Sequence, residues 1–211
     1  MQWTLVIPLK PLVRAKSRLA PTAGDRVRPG LALAFAQDTV AAATASAGVR
    51  DVVVVTDDAL AGRELAALGA LIVPDAPGAG LNAALAHGVA AARARRPDAA
   101  VAALNADLPA LRSAELSRVL AEAALFPRAF LPDAAGIGTT LLSAGSGTEL
   151  RPAFGNASRA RHAASGAVEL PLTGVDSVRQ DVDTGEDLRV ALSLGVGPRT
   201  AGAAAGLLIP D

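Results

Sequence analysis

Along the first 125 residues, short β-branched runs alternate with longer alanine-rich stretches of helical periodicity, and this alternation limits the possible folds more than any other feature of the chain. The runs are Thr4–Ile7, Val52–Val55, Leu71–Val73 and Val101–Leu104, and the helical stretches cover roughly Leu31–Ala47, Ala59–Leu68, Leu81–Ala94 and Ala114–Leu125. Strands separated by helices pair in parallel, because the helical crossover returns the chain in the same direction. A mostly parallel sheet flanked by helices is therefore expected, with Ser113 as the N-cap of the fourth helix. Beyond Phe126 the pattern loosens into short strand-like pieces and turns, with one helix after Ser158 and another across Glu186–Leu194. That last third is expected to fold over the carboxyl edge of the sheet, where open α/β sheets bind ligands.

Composition removes several classes of function. With 211 residues the chain suits one domain. Aromatic residues make up 2%, too few for the stacking platforms of single-strand or RNA-loop binders. A formal net charge of zero gives no general attraction to nucleic acid or to an anionic membrane, so any anion site must be local. The absence of cysteine excludes disulfides, zinc–thiolate sites and thiol nucleophiles. The start of the chain lacks a cationic leader, no run reaches the length of a membrane span, and a soluble, cytoplasmic protein is expected.

One such local site follows the first strand. Only two lysines occur against eighteen arginines, and both, Lys10 and Lys16, lie in one loop with Arg14 and Arg18 and no acid. Two compact ammonium charges kept within seven residues suit a polyphosphate, whose charge must be neutralised before pyrophosphate can leave. A solvated basic turn is the competing reading. No glycine-rich dinucleotide fingerprint or P-loop motif accompanies the strand.

Carboxylates supply the complementary half. Asp107 follows the strand Val101–Leu104 and is either a metal ligand or a turn residue. Asp181 and Asp183, two apart, share a face if their segment is extended, or else Asp183 caps the helix that follows. Magnesium accepts one or two carboxylates together with phosphate oxygens and water, so these three acids suffice. Thr56–Asp58 also closes a strand and is either a further carboxylate candidate or a turn and helix cap. Asn82 opens a helix, as an N-cap or as a reader of a base edge. Gly138–Thr140 and Phe154–Ser158, with Arg159 and Arg161 nearby, form either a second, smaller anion site or ordinary turns. His87 and His162 are expected to be surface or packing residues.

In this order the motifs resemble the guanylyltransferases that make the deazaflavin coenzyme factor 420. The match runs through Val6–Lys10, Lys16–Leu19, Val54–Asp58, Gly80–Leu85, Ala106–Pro109, Gly138–Leu141, Phe154–Gly155 with Ser158, and Asp181–Thr184. The resemblance implies an α/β, single-domain nucleotidyltransferase fold (GT-A-like, Rossmann-like) with a mostly parallel sheet flanked by helices. It implies GMP transfer from GTP to phosphoenolpyruvate, or to 2-phospho-L-lactate or 3-phosphoglycerate, with Mg2+ as cofactor. Lys10, Lys16 and Arg18 would bind the triphosphate and Asn82 the guanine, with Lys10, Lys16 and Asp107 carrying the catalysis. Asp107, Asp181 and Asp183 would hold the metal, and Thr140, Gly155 and Ser158 the acceptor phosphate. Residues 1–126 would form the nucleotide-binding part, 127–195 the acceptor part, and 196–211 a tail without assigned chemistry. Two positions depart from the family pattern: Asn105 replaces a proline and Ala157 a glycine. A molybdopterin guanylyltransferase, a glycosyltransferase and a non-catalytic nucleotide sensor are the rival readings. The alanine-rich helix faces suit a core or a homodimer interface equally well.

Overall fold

The four expected strands are all present in the computed structural model, which describes residues 1–207. They are β1 (Trp3–Pro8), β2 (Val49–Val55), β3 (Leu71–Val73) and β4 (Ala100–Leu104), paired in parallel. Side chains alternate between two buried layers: Leu5, Ile7, Val52, Val54, Ala102 and Leu104 face one, and Val6, Val53, Val55, Val101 and Ala103 the other. Burial of both faces is what makes these strands read as continuous apolar runs.

Helices α1 (Ala20–Thr44) and α4 (Ser113–Ala123) cover the first layer, and α3 (Leu81–Arg95) covers the second. Between β2 and β3 lies α2 (Ala59–Ala66). Alanines on α3 bring its axis close to the sheet, and Gly88 brings it closer still. A Cβ there would stand 2.5 Å from Val6 Cγ1 and 2.6 Å from Val55 Cγ2. Glycine costs about 1 kcal/mol of helix propensity relative to alanine, and here the close approach requires it.

Three expectations need correction. Helix α1 begins eleven residues earlier than periodicity suggested, interrupted by Gly24 at φ 71°. Ser113 does not cap α4; it is the first helical residue, and its hydroxyl donates to Ala42 O at 2.9 Å, tying α4 to α1. The last third also does more than cover the sheet edge. It adds β5 (Arg128–Pro132), β6 (Thr139–Ala144) and β7 (Val168–Glu169), giving the order β3-β2-β1-β4-β6-β5-β7. Only β6 runs antiparallel to its neighbours among the described strands.

The remaining helices are α5 (Ser158–Ala164), α6 (Asp176–Arg179), α7 (Gly185–Leu194) and α8 (Pro198–Ala204). Main-chain bonds from Val182 N to Asp107 O (3.1 Å) and from Gly197 N to Pro109 O (2.9 Å) draw this part of the chain to the end of β4. The 196–211 tail thus contains α8, docked on α1 where Asp38 Oδ2 accepts from Thr200 N at 2.7 Å; residues 208–211 lie outside the described chain. Among the described residues no helix is long and apolar enough to cross a membrane.

Candidate active site

Strands β1 and β4 are neighbours, so the segments leaving their carboxyl ends face each other across a cleft of about 570 Å³. The segment after β1 forms two 3₁₀ turns, Leu12–Arg14 and Ser17–Leu19, and puts Lys10, Arg14, Lys16 and Arg18 on the cleft wall. Two residues that sequence reasoning did not connect with this loop hold it in place. Asp58 caps α2 through Oδ1 and accepts from Leu12 N through Oδ2 at 2.9 Å. Arg28 Nη1 donates to the carbonyls of Val13 (3.2 Å) and Ala15. Neither tie is visible in sequence, because each joins a side chain to distant main chain.

Lys16, between the two turns, has a left-handed φ of 55° and directs its ammonium between Asp107 and Asp183, 2.8 Å from the latter. Burial lowers the affinity of this amine for its proton, but the two carboxylates outweigh burial and keep it charged. Asp183 is free for this pairing because Thr184, not Asp183, caps α7, in a capping box with Asp187. Burial pushes the Asp183 carboxyl up, yet Lys16, Arg18 and Lys10 draw it below its ordinary value. Asp181 responds oppositely: burial, then Asp107 and Asp183, raise it to about 8. Asn105 Nδ2 reaches Asp181 Oδ2 at 3.5 Å.

The three expected metal ligands line one cleft, but not as a ready coordination sphere. Among the described residues no group of three or more His, Cys, Asp or Glu side chains is arranged to hold an ion. Lys16 is the physical reason, since its ammonium already compensates Asp107 and Asp183. The donor set itself, three carboxylates with one partly protonated, suits a hard divalent cation that displaces both the ammonium and the proton.

The same cleft is lined by Gly138, Thr139 and Phe154–Ser158. Asp133, at the carboxyl end of β5, shapes the adjoining turn by accepting from Ile137 N (2.9 Å) and Gly138 N (2.8 Å). Its position resembles that of Asp107, but the loosened pattern after Phe126 hid it. Gly155 adopts φ 114°, and a Cβ there would meet the Arg161 guanidinium at 3.2 Å. Ser158 is buried at the start of α5. Thr140, expected at the acceptor phosphate, is fully buried and does not line the cleft, where Thr139 stands instead; its hydroxyl has no partner among the described residues.

Other candidates are committed elsewhere. Arg159 forms a two-pronged pair with Glu169 (2.9 and 2.8 Å), so it is not available to a small anion. Asn82 neither caps α3 nor points an open amide at a base: Nδ2 donates to Phe154 O at 3.1 Å and Oδ1 accepts from Phe154 N at 2.8 Å. The N-cap of α3 is Gly80. His162 is a packing histidine, as expected, wholly buried between Phe130 and Phe154.

A mostly parallel α/β sheet with cations after strand one and Asp107, Asp181 and Asp183 at its carboxyl edge has the arrangement of a nucleotidyltransferase. The chain matches the family described as "Guanylyl transferase CofC like" over residues 3–201 and belongs to that family. A phosphoenolpyruvate guanylyltransferase of Streptomyces avermitilis is 77% identical over 210 residues, covering 100% of this chain and 97% of the relative. The fold resembles a structure from Desulfovibrio desulfuricans described as a nucleotide-diphospho-sugar transferase, with TM-score 0.71, 17% identity, and 98% and 97% of the two chains covered. A Mycobacterium tuberculosis protein solved in complex with manganese aligns with TM-score 0.54, 25% identity, and 92% and 99% coverage.

Proposed function

We propose that this guanylyltransferase acts on phosphoenolpyruvate, giving enolpyruvyl-diphospho-guanosine and pyrophosphate in deazaflavin coenzyme biosynthesis. The observation that carries the reading is the convergence of the Lys10–Arg18 loop and Asp107, Asp181 and Asp183 on one cleft that the Phe154–Ser158 loop also lines. The acceptor named for the Streptomyces avermitilis relative supports phosphoenolpyruvate over 2-phospho-L-lactate or 3-phosphoglycerate.

An oxygen of the phosphoenolpyruvate phosphate attacks the α-phosphorus of GTP, and the bond from that phosphorus to the bridging oxygen of the β-phosphate breaks. Pyrophosphate leaves with the bond's electron pair. The attacking oxygen is already anionic, so no protein nucleophile or general base is required, and alignment with charge neutralisation supplies the acceleration. Lys10, Lys16 and Arg18 bind the triphosphate and stabilise the departing pyrophosphate. Lys16 reaches the phosphates by leaving its carboxylate partners. Asp107, Asp181 and Asp183 would then hold Mg2+, which supplies Lewis-acid neutralisation of phosphate charge when bound. Ser158 and Gly155 serve the acceptor phosphate, and Thr140 drops out because it is fully buried and does not line the cleft. Asn82 drops out as a guanine reader because its amide is engaged by Phe154.

The test is pyrophosphate release from GTP with each of the three acceptors, for the wild-type protein and Asp107→Ala. Phosphoenolpyruvate should be strongly preferred. Asp107→Ala should stay folded and lose at least about a hundredfold in kcat, the usual order for one electrostatic group of a transfer site. Equal turnover on all three acceptors, or full activity in the variant, would refute the assignment.

A further inference from the structure

The stretch Pro152–Asn156 carries the acceptor wall of the cleft. Among the described residues, though, its one main-chain hydrogen bond is the local one to the first residue of α5, from Ser158 N to Gly155 O at 3.0 Å. Two side chains take the place of a ladder. Asn82 engages Phe154 in both directions, accepting from its N–H at 2.8 Å and donating to its carbonyl at 3.1 Å. His162 Nε2 accepts from Ala153 N at 3.0 Å, and its Nδ1 lies 2.9 Å from Thr139 Oγ1. Because Nε2 accepts, the proton of the neutral ring sits on Nδ1 and is donated to Thr139. The Phe154 ring stands edge-on to the imidazole, with centroids 5.0 Å apart.

The two ends of the Asn82 link are not equally dependent on it. Helix α3 is held by its own packing against β1, β2 and β4, with Gly88 seated between Val6 and Val55. The Phe154 ring packs into the second apolar layer, but among the described residues the backbones of Ala153 and Phe154 are bonded only by these side chains. Cutting the link should therefore release the loop and leave the helix.

We propose that Asn82 and His162 are positioning residues for the acceptor: they hold Ala153 and Phe154 so that Gly155 and Ser158 stand preformed in the cleft that the phosphate cradle also lines. This rests on the reading of the Phe154–Ser158 loop as the acceptor side. In-line transfer is sensitive to placement, and a shift of about 1 Å can cost a hundredfold in rate.

The experiment measures pyrophosphate release against varied phosphoenolpyruvate and against varied GTP, with thermal unfolding and amide hydrogen exchange of residues 152–157 recorded for each protein. The variants are Asn82→Ala, Asn82→Asp, His162→Phe and His162→Gln, with Ser158→Ala as a direct acceptor-loop control. Asn82→Asp keeps the acceptor for Phe154 N–H and removes the donor, so it serves even if alanine fails to fold. His162→Gln can return an acceptor to the Nε2 position, whereas His162→Phe fills the volume without one. Exchange should rise in Asn82→Ala and His162→Phe. The KM for phosphoenolpyruvate should rise at least tenfold in both and in Asn82→Asp, with KM for GTP within about twofold, and His162→Gln should recover most of the loss. Parallel rises in both KM values, or an unchanged acceptor KM while exchange increases, would overturn the positioning role. If Ser158→Ala raises the acceptor KM but the Asn82 and His162 variants do not, the positioning proposal fails alone. If Ser158→Ala is also silent, the reading of the acceptor side fails with it.

Discussion

Ala157 sits in the left-handed region, at φ 54° and ψ 35°, immediately before Ser158. An L-residue with a Cβ pays roughly 1–2 kcal/mol for that conformation, whereas glycine adopts it freely. The family resemblance leads one to expect glycine at this position, and the backbone explains why: the turn keeps the glycine shape although its residue has changed. Ala157→Gly should therefore stabilise the protein by about 0.5–1 kcal/mol, the strain relief less the greater entropy of glycine in the unfolded chain. A higher denaturant midpoint at unchanged slope would bear this out, and a lower midpoint would contradict it. Side chains whose task is charge were readable at this scale: Lys16 stood out by rarity, and Asp107 by its place after a strand. Asn82 was not, because an amide's role depends on what it faces, and its partner lies 72 residues away on the main chain.

At the scale of elements, Asp58 joins two pieces that sequence reading kept apart. Its Oδ1 accepts from Leu60 N (3.1 Å) and Ala61 N (3.0 Å) as the cap of α2, and its Oδ2 accepts from Leu12 N in the basic loop. Burial pushes this carboxyl up, but the three main-chain donors outweigh it and hold it below its ordinary value. Asp58→Ala should cost about 1 kcal/mol as a lost N-cap. The same variant should also raise KM for GTP severalfold, because the loop loses a tether that capping alone does not explain. Urea unfolding and GTP kinetics separate the two effects, and a stability loss with unchanged GTP kinetics would leave Asp58 as a cap only. The four parallel strands were legible because each stands between helices of clear periodicity. Strands β5 and β6 were not: all of their residues are buried, so no alternation marks them, and no helix separates them.

At the scale of the whole molecule, two groups, the buried His162 behind the Phe154 turn and the partly buried Asp181 in the cleft, make stability depend on pH in opposite senses. Burial, reinforced by Arg128 and Arg161, lowers His162 from 6.5 to about 4. The unfolded chain therefore takes up that proton first, and the His162 contribution is complete above 6.5 and lost as pH falls toward 4. Asp181 is raised from 3.8 to about 8, so the folded chain retains a proton that the unfolded chain has released. Its contribution is complete below 3.8 and lost as pH rises to 8. Each one-proton difference has a slope of about 1.4 kcal/mol per pH unit. In metal-free protein the two slopes should largely cancel between pH 4 and 6.5, leaving a decline from 6.5 to 8 that belongs to Asp181. His162→Gln should turn the flat region into a decline beginning near pH 4, and Asp181→Asn should turn it into a rise that levels off near 6.5. Saturating Mg2+ should abolish the decline above 6.5, since a cation bound to the carboxylates keeps Asp181 ionised in the folded state as well. Denaturation curves in chelator and in Mg2+ at half-unit pH steps would decide this, and parallel profiles for all three proteins would show that neither group governs the balance.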